Sequence, residues 1–341
     1  MQMPFSKNQN IQYHVATLNN KIMSIRYVFH IRNIIQLSRF KEYIWFVLVL
    51  TCAGSISAHG KFDWRFLIAL FANGLSVAFA FMVNDTEDAP DDKLDSKKRI
   101  RNPISAGRMS WRTAWIVSLS VGILALVAFA FLGRDAFVVG SLSVLISFLY
   151  SWKRVRLKSI PILDLISHGL MLAGLPFAVG YAIYSQAVGP NFYWPFITLT
   201  AFSMYGELFN ELRDFECDRK AGVVHTASVL GASLVNMLMM VFGLIGFGSA
   251  LVCLFILWIV PLWGLILLIV LMCIFMIYPV ICFRRNRSWM ATQTNIQTSV
   301  QIAAALALCL CFIMPWVYSL IIIVSDVNSY AFLWQRVTQI F

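Results

Sequence analysis

Charge is scarce in this 341-residue chain, at 13% of residues, against about a quarter in soluble domains. That excludes a disordered chain and an ordinary cytosolic enzyme. Cysteine is sparse too: seven in all, with no C-x-x-C pair, and all but Cys217 in or at the edge of an apolar run. This excludes a disulfide scaffold and a thiolate metal site, and the cysteines read as small hydrophobes. The first 42 residues lack an apolar h-region, so no secretory signal peptide is expected there. What fills the chain is apolar: 60% of residues, with a mean hydropathy of +0.75. The runs 64–83, 232–260, 261–283 and 302–324 are long. About 20 apolar residues in a helix cross the hydrocarbon core of a bilayer.

The fold class expected is therefore an all-α polytopic membrane protein. Nine spans are placed near 43–60, 64–85, 113–132, 135–151, 161–185, 192–210, 232–258, 261–283 and 298–324, with Pro261 dividing the long run around it. Of the 27 Lys and Arg, only Lys61, Arg65, Arg134 and Arg336 fall on one side of this layout. The other 23 fall opposite, which puts the N-terminus in the cytoplasm. The net charge of +11 is thus topological, and no nucleic-acid partner is expected. Residues 1–42 form a cytoplasmic segment in which Ile25–Leu37 reads as an interfacial amphipathic helix. Residues 43–324 form one nine-helix membrane domain, and 325–341 a short extracytoplasmic tail. With no organelle signal evident, the expected host is a plasma membrane, with the site facing the cytoplasm.

Eleven of the sixteen acids lie in two short clusters. Asp85, Glu87, Asp88, Asp91, Asp92 and Asp95 follow the second span. Glu207, Glu211, Asp214, Glu216 and Asp218 end the sixth. Both clusters lie on the cytoplasmic side, and carboxylates that begin at a span end are expensive and usually functional. Asn84, Asp88 and Asp92 recur every fourth residue and would share a helix face. Pro90 ends or kinks that helix near Ala89, so Asp92 approaches from a turn. Asp214 and Asp218 are again four apart. Oxygen donors with no His or Cys at ligand spacing suit a hard cation such as Mg²⁺, which bridges carboxylates to substrate phosphates. The loop from Tyr150 to Lys158 holds Lys153, Arg154, Arg156 and Lys158 on the same face, and Lys153 or Arg154 is the expected phosphate contact. A diphosphate bound at a membrane implies a lipid tail, such as an isoprenyl chain. Ionising its C–O bond leaves an allylic cation, and Mg²⁺ with Lys and Arg stabilises the leaving group. His168 reads as a satisfied core or cavity residue. Asp164, one turn away, is an acid that positions the acceptor, a proton acceptor, or an interfacial partner.

These residues resemble the UbiA superfamily of intramembrane prenyltransferases. Asn84-Asp85…Asp88…Asp92 looks like the family's N-D-x-x-D-x-x-x-D motif, and Asp214…Asp218 like its D-x-x-x-D motif. Arg101-Asn102-Pro103-Ile104-Ser105-Ala106-Gly107 looks like its R-P-x-x-S-G segment. Tyr150-Ser151 with its basic followers looks like its Y-S…K-R loop, and Asp218–Gly222 like its G-D-R-x-x-G ending. Glu211, Asn102 and Cys217 depart from the pattern and leave the acceptor open. The resemblance implies nine helices around a central cavity open to the bilayer. It implies two Mg²⁺ ions on Asn84, Asp88, Asp92, Asp214 and Asp218, with Asp85 and Glu211 as lesser candidates. Asp88, Asp92, Asp214 and Asp218 would carry catalysis, and Asn84, Lys153, Arg154, Tyr150 and Arg101 would bind substrate. The partners implied are an isoprenyl diphosphate donor, a hydrophobic aromatic or lipid acceptor, and the bilayer. A terpene cyclase of the same fold would need an intramembrane base and no acceptor. A transporter is the reading from another class, although both acidic clusters lie at span ends rather than at the midplane.

Overall fold

The structure, a computed structural model, describes residues 31–220, 224–286 and 289–338, with side chains described over 31–215, 224–285 and 295–319. The N-terminal part of the expected amphipathic helix, residues 25–30, lies outside them. Residues 31–38 are helical. Their Ile31 and Ile35 are exposed, while Asn33 and Leu37 are buried.

The chain then runs through α1 (Phe40–Ser57), α2 (Trp64–Glu87), the short α3 (Ala89–Asp92) and α4 (Ser96–Arg101), α5 (Trp111–Ala130) and α6 (Arg134–Ser151). Next come α7 (Leu163–Gly169), a π-turn at Leu170–Gly174, α8 (Leu175–Ala182), α9 (Pro190–Lys220), α10 (Thr226–Leu251), α11 (Leu262–Asn286) and α12 (Trp289–Thr338). No strand occurs among the described residues. Eight helices among the described residues are long and apolar enough to cross a membrane. The sixth expected span, 192–210, falls on α9, which is long enough but is not among those eight. Its polar residues, Glu207 and Glu211 among them, are what that length of helix has in place of apolar side chains.

Gly231 takes a non-helical φ of 76°, which glycine allows without a Cβ clash, and kinks α10 between a short first segment, 226–230, and the long helix that runs on from residue 232, where the expected span 232–258 begins. The expected tail 325–341 does not break away at residue 324, because α12 continues to Thr338. The π-turn precedes Pro176, whose ring removes one N–H from the helix ladder.

Small residues let the helices meet closely, as packing in lipid favours. A Cβ on Gly54 would overlap the Phe177 carbonyl oxygen, and one on Gly180 would lie 2.6 Å from the Thr51 carbonyl oxygen. Asn73 Nδ2 fastens the same junction, donating to Thr51 Oγ1 at 3.0 Å and to the Pro176 carbonyl at 2.9 Å. Phe79 and Val83 of α2 pack on Ala125 and Phe129 of α5 and on Ala136 and Val144 of α6. Leu208 and Phe209 of α9 pack on Val235 and Met239 of α10. These contacts set α2 against α6 and α9 against α10, and α2, α6 and α9 carry or lead into the motifs.

Candidate functional site

The first acidic motif straddles a helix end. α2 stops at Glu87, Asp88 has φ −83° and ψ −2°, and Pro90 sits in the first turn of α3. Asn84 therefore belongs to a membrane helix, while Asp92 comes in from the turn beyond it. Asp85 is fully buried and held by Arg39, whose Nε donates to it at 3.2 Å, with the Arg101 guanidinium 3.8 Å away. Asn102 ties the turn shut. Its Nδ2 donates to the Asp85 carbonyl at 2.7 Å and to Asp92 Oδ2 at 2.9 Å. Asp92 is buried. Burial raises its carboxyl above the usual range, the Asn102 hydrogen bond opposes this, and the charges of Asp85 and Asp88 add to the rise. A desolvated carboxylate beside two others is a place that favours a cation.

The basic loop after α6 meets this motif, through residues other than the pair first expected. Lys158 Nζ donates to Asn84 Oδ1 at 2.9 Å and pairs with Asp88. Arg156 lies 3.3 Å from both Asp88 and Asp91. Arg156 has a positive φ of 47°, in a left-handed turn that leads into Leu157–Ser159. Lys153 contributes its backbone N–H to Glu87 Oε2 at 3.1 Å, and its side chain is exposed. Arg154 stacks over Trp152. Arg101 faces Asp85. Ser151 Oγ donates to Asn84 Oδ1 at 3.1 Å, and the neighbouring Tyr150 hydroxyl donates to Glu207 at 2.7 Å.

The second motif rides on α9, which continues unbroken to Lys220. Asp214 lies 3.7 Å from Lys98 Nζ of α4 and accepts from Arg213. The Lys98 contact brings the loop after the first motif against the second motif. The Asp218 side chain lies outside the described residues. Glu211 is turned away toward α10, where it accepts from the Ala227 N–H at 2.8 Å and lies 3.3 Å from His225 Nδ1. Asp164 likewise accepts from the Thr226 N–H at 2.6 Å. These two acids satisfy the first turn of a helix, a structural role.

Every candidate ligand in this region is an oxygen, which suits a hard divalent ion. Among the described residues no three acids converge at metal distance. The Asn84 and Asp88 oxygens do already close on a cation, the Lys158 ammonium, so the donor set fits a metal ion. Arg39, 46 residues ahead of its partner Asp85, gave no sequence signal. The pairing of Glu207 with His168, Nε2 to Oε2 at 3.1 Å, was signalled only by two ionisable groups lying within spans.

The UbiA prenyltransferase family profile matches residues 44–294. A 2-acylphloroglucinol 4-prenyltransferase of Humulus lupulus is 29% identical over 189 residues, 52% of this chain and 45% of the relative. A lycopene elongase/hydratase of Haloferax volcanii is 31% identical over 198 residues, 57% of this chain and 62% of the relative. The chain spans about half the length of the curated relatives it matches. Its fold is similar to the structure of a UbiA homolog from Archaeoglobus fulgidus bound to GPP and Mg²⁺. That match has a TM-score of 0.58 and 20% identity, and it covers 81% of this chain and 99% of the other. A family match over most of the chain, on a shared helical fold, leads to one conclusion: this protein belongs to the UbiA prenyltransferase family.

Proposed function

We propose that the chain is a divalent-metal-dependent intramembrane prenyltransferase. It moves an isoprenyl group from its diphosphate to a hydrophobic aromatic or lipid acceptor and releases diphosphate. One observation carries the reading. Both acidic motifs are paired with basic side chains: Asp88 of the first with Arg156 and Lys158, and Asp214 of the second with Lys98 of α4, the helix that follows the first motif. The family and the donor bound to the archaeal homologue support it. The reading includes two Mg²⁺ ions on Asn84, Asp88, Asp92, Asp214 and Asp218. It includes Lys153, Arg154, Tyr150 and Arg101 as further substrate contacts, nine spans over 43–324, and a site on the cytoplasmic side of a plasma membrane.

A divalent metal held by these acids would supply positive charge to the diphosphate. The chain's own residues do the rest. Lys158 and Arg156, which neutralise Asp88, would donate charge-assisted hydrogen bonds to the diphosphate oxygens. Asn102 and Arg39 hold the turn so that the acids need little rearrangement. The dry ends of α2, α6 and α9 exclude water from the allylic cation.

The test is diphosphate release by the protein in lipid nanodiscs. Geranyl, farnesyl and geranylgeranyl diphosphate are each given with Mg²⁺ or EDTA, with and without a phloroglucinol, a polyene and a glycerol-ether phosphate. Mg²⁺-dependent release that requires an acceptor supports the transferase. A cyclase is the second reading, favoured by the intramembrane Glu207–His168 pair. It would release diphosphate without acceptor and yield a cyclic hydrocarbon. No release with any donor, from folded protein, overturns both and returns weight to transport.

A further inference from the structure

The geometry points to Glu207 and His168 as the proton-accepting pair of the reaction, with His168 as the base and Glu207 as its support. This rests on the transferase reading above. Four polar side chains from three helices form one hydrogen-bonded line. The Tyr150 hydroxyl of α6 donates to Glu207 Oε1 at 2.7 Å. Glu207 Oε2 of α9 faces His168 Nε2 of α7 at 3.1 Å. His168 Nδ1 faces Ser203 Oγ of α9 at 3.2 Å.

The hydrogen-bond inventory sets the direction of this line. An ionised Glu207 only accepts, so Nε2 of His168 carries the proton and Nδ1 keeps its lone pair. Glu207 then stabilises the imidazolium that forms when Nδ1 takes a proton. The side chains of His168 and Glu207 are each 14% exposed, so they are neither sealed in the core nor open to bulk water. Such groups within membrane spans are costly and are functional by default. The other buried acids here, Asp164 and Glu211, hold backbone N–H groups of α10. Glu207 and His168 have no such structural duty among the hydrogen bonds described.

Position gives the role. Ser151, next to Tyr150, donates to the metal-side oxygen of Asn84. Glu207 lies seven residues before Asp214 on one helix, about 10 Å deeper along its axis. Glu207 thus lies on the membrane-interior side of the acidic motifs, the side toward which carbon 1 of a donor whose diphosphate sits at those motifs would point. The step balances as follows. The C1–O bond breaks, and its electron pair leaves with diphosphate. A bond forms from the acceptor's π or lone pair to C1. The acceptor's C–H or O–H bond then breaks, its electrons stay on the acceptor, and the proton goes to the Ser203 hydroxyl oxygen as Ser203 gives its own proton to His168 Nδ1.

The experiment compares wild type with Glu207→Gln and His168→Gln in nanodiscs. It uses farnesyl and geranylgeranyl diphosphate, Mg²⁺ and the three acceptor probes named above. Product, diphosphate and Mg²⁺-dependent donor binding are each measured. Product formation is expected to fall about 10²- to 10⁴-fold, while donor binding changes less than about threefold, so diphosphate release uncouples from transfer. Tyr150, Asp164, Glu211 and His225 are the other titratable groups facing this cluster, and all stay in place. Variants with wild-type product rates, or with donor binding lost in parallel, overturn the assignment. If Glu207→Gln does not fold, His168→Gln decides, since its amide still donates to Glu207. Wild type that releases no diphosphate overturns the transferase reading as well. An active wild type with active variants overturns only the base.

Discussion

Removing Lys158 should separate metal binding from diphosphate binding, because its ammonium sits where the two meet. Its Nζ donates to Asn84 Oδ1 at 2.9 Å and pairs with Asp88, and its side chain is 13% exposed. Under the proposed function, this cation would compete for the oxygens assigned to metal and, once displaced, would be free for the diphosphate. Lys158→Ala should therefore leave Mg²⁺ binding as tight or tighter. It should also weaken Mg²⁺-dependent donor binding by the value of one charge-assisted hydrogen bond, about 1.5–3 kcal/mol. That is about a ten- to hundredfold rise in Kd. The assay is binding of labelled farnesyl diphosphate to protein in nanodiscs across a Mg²⁺ titration. Lys153→Ala is the comparison, since its exposed side chain should matter less. Parallel loss of metal and donor affinity in Lys158→Ala would refute the exchange of cations. A larger donor loss from Lys153→Ala would refute the choice of Lys158 and Arg156 over the first half of the loop.

Asp88→Asn and Asp214→Asn each remove one negative charge from a different motif, and each should lower Mg²⁺-dependent diphosphate release by about 100-fold or more; near-normal turnover in either would remove that acid from the site. Glu211 gives a pH dependence of stability. Burial raises its carboxyl from 4.5 to about 7, helped by Asp164 and Glu207 and opposed by His225 and the Ala227 N–H. Between those values the folded state keeps a proton that the unfolded chain has lost, so stability falls as pH rises through that window. Melting curves at pH 5 and pH 7.5 should show a smaller drop for Glu211→Gln than for wild type; equal drops would mean that Glu211 is ionised throughout. Gly54→Ala should cost about 1–3 kcal/mol, because its Cβ meets the fixed Phe177 carbonyl, whereas Gly74 faces open space and its alanine variant should melt near wild type.

Much of the helical layout was legible because lipid demands it. Eight of the nine expected spans fall on helices long and apolar enough to cross a membrane among the described residues, and the expected span 192–210 falls on α9. The kink at Gly231, with its positive φ, sets a short segment ahead of the apolar run of α10. α12 simply continues, because nothing in 325–338 stops a helix. The acidic motifs were legible as motifs, since a cluster of carboxylates at a span end has few structural explanations. Which cation meets which acid was not. Four basic residues within six positions look alike in a sequence. The left-handed turn at Arg156 aims the later two at Asp88 and leaves Lys153 and Arg154 outside.

The same limit applies to the acids, and it shows why composition alone cannot name ligands. Asp85, Asp164 and Glu211 are written with the same letters as Asp88 and Asp214, yet their partners differ in kind. Asp164 and Glu211 hold backbone N–H groups at the start of α10, and Asp85 is buried against Arg39. Removing these acids would strand buried polar groups, so they stay where they are. Asp88 and Asp214 are met by long side chains that can swing away: Lys158 and Arg156 on one, Lys98 and Arg213 on the other. An acid held by flexible cations can exchange them for a metal at little structural cost, whereas an acid that caps a helix cannot. Asp92 lies between the two kinds. Asn102 fixes its place, but burial and two neighbouring carboxylates push it to seek positive charge. Under the proposed function, the acids assigned to metal are the ones whose partners are long, flexible cations, and that distinction exists only once the chain is folded.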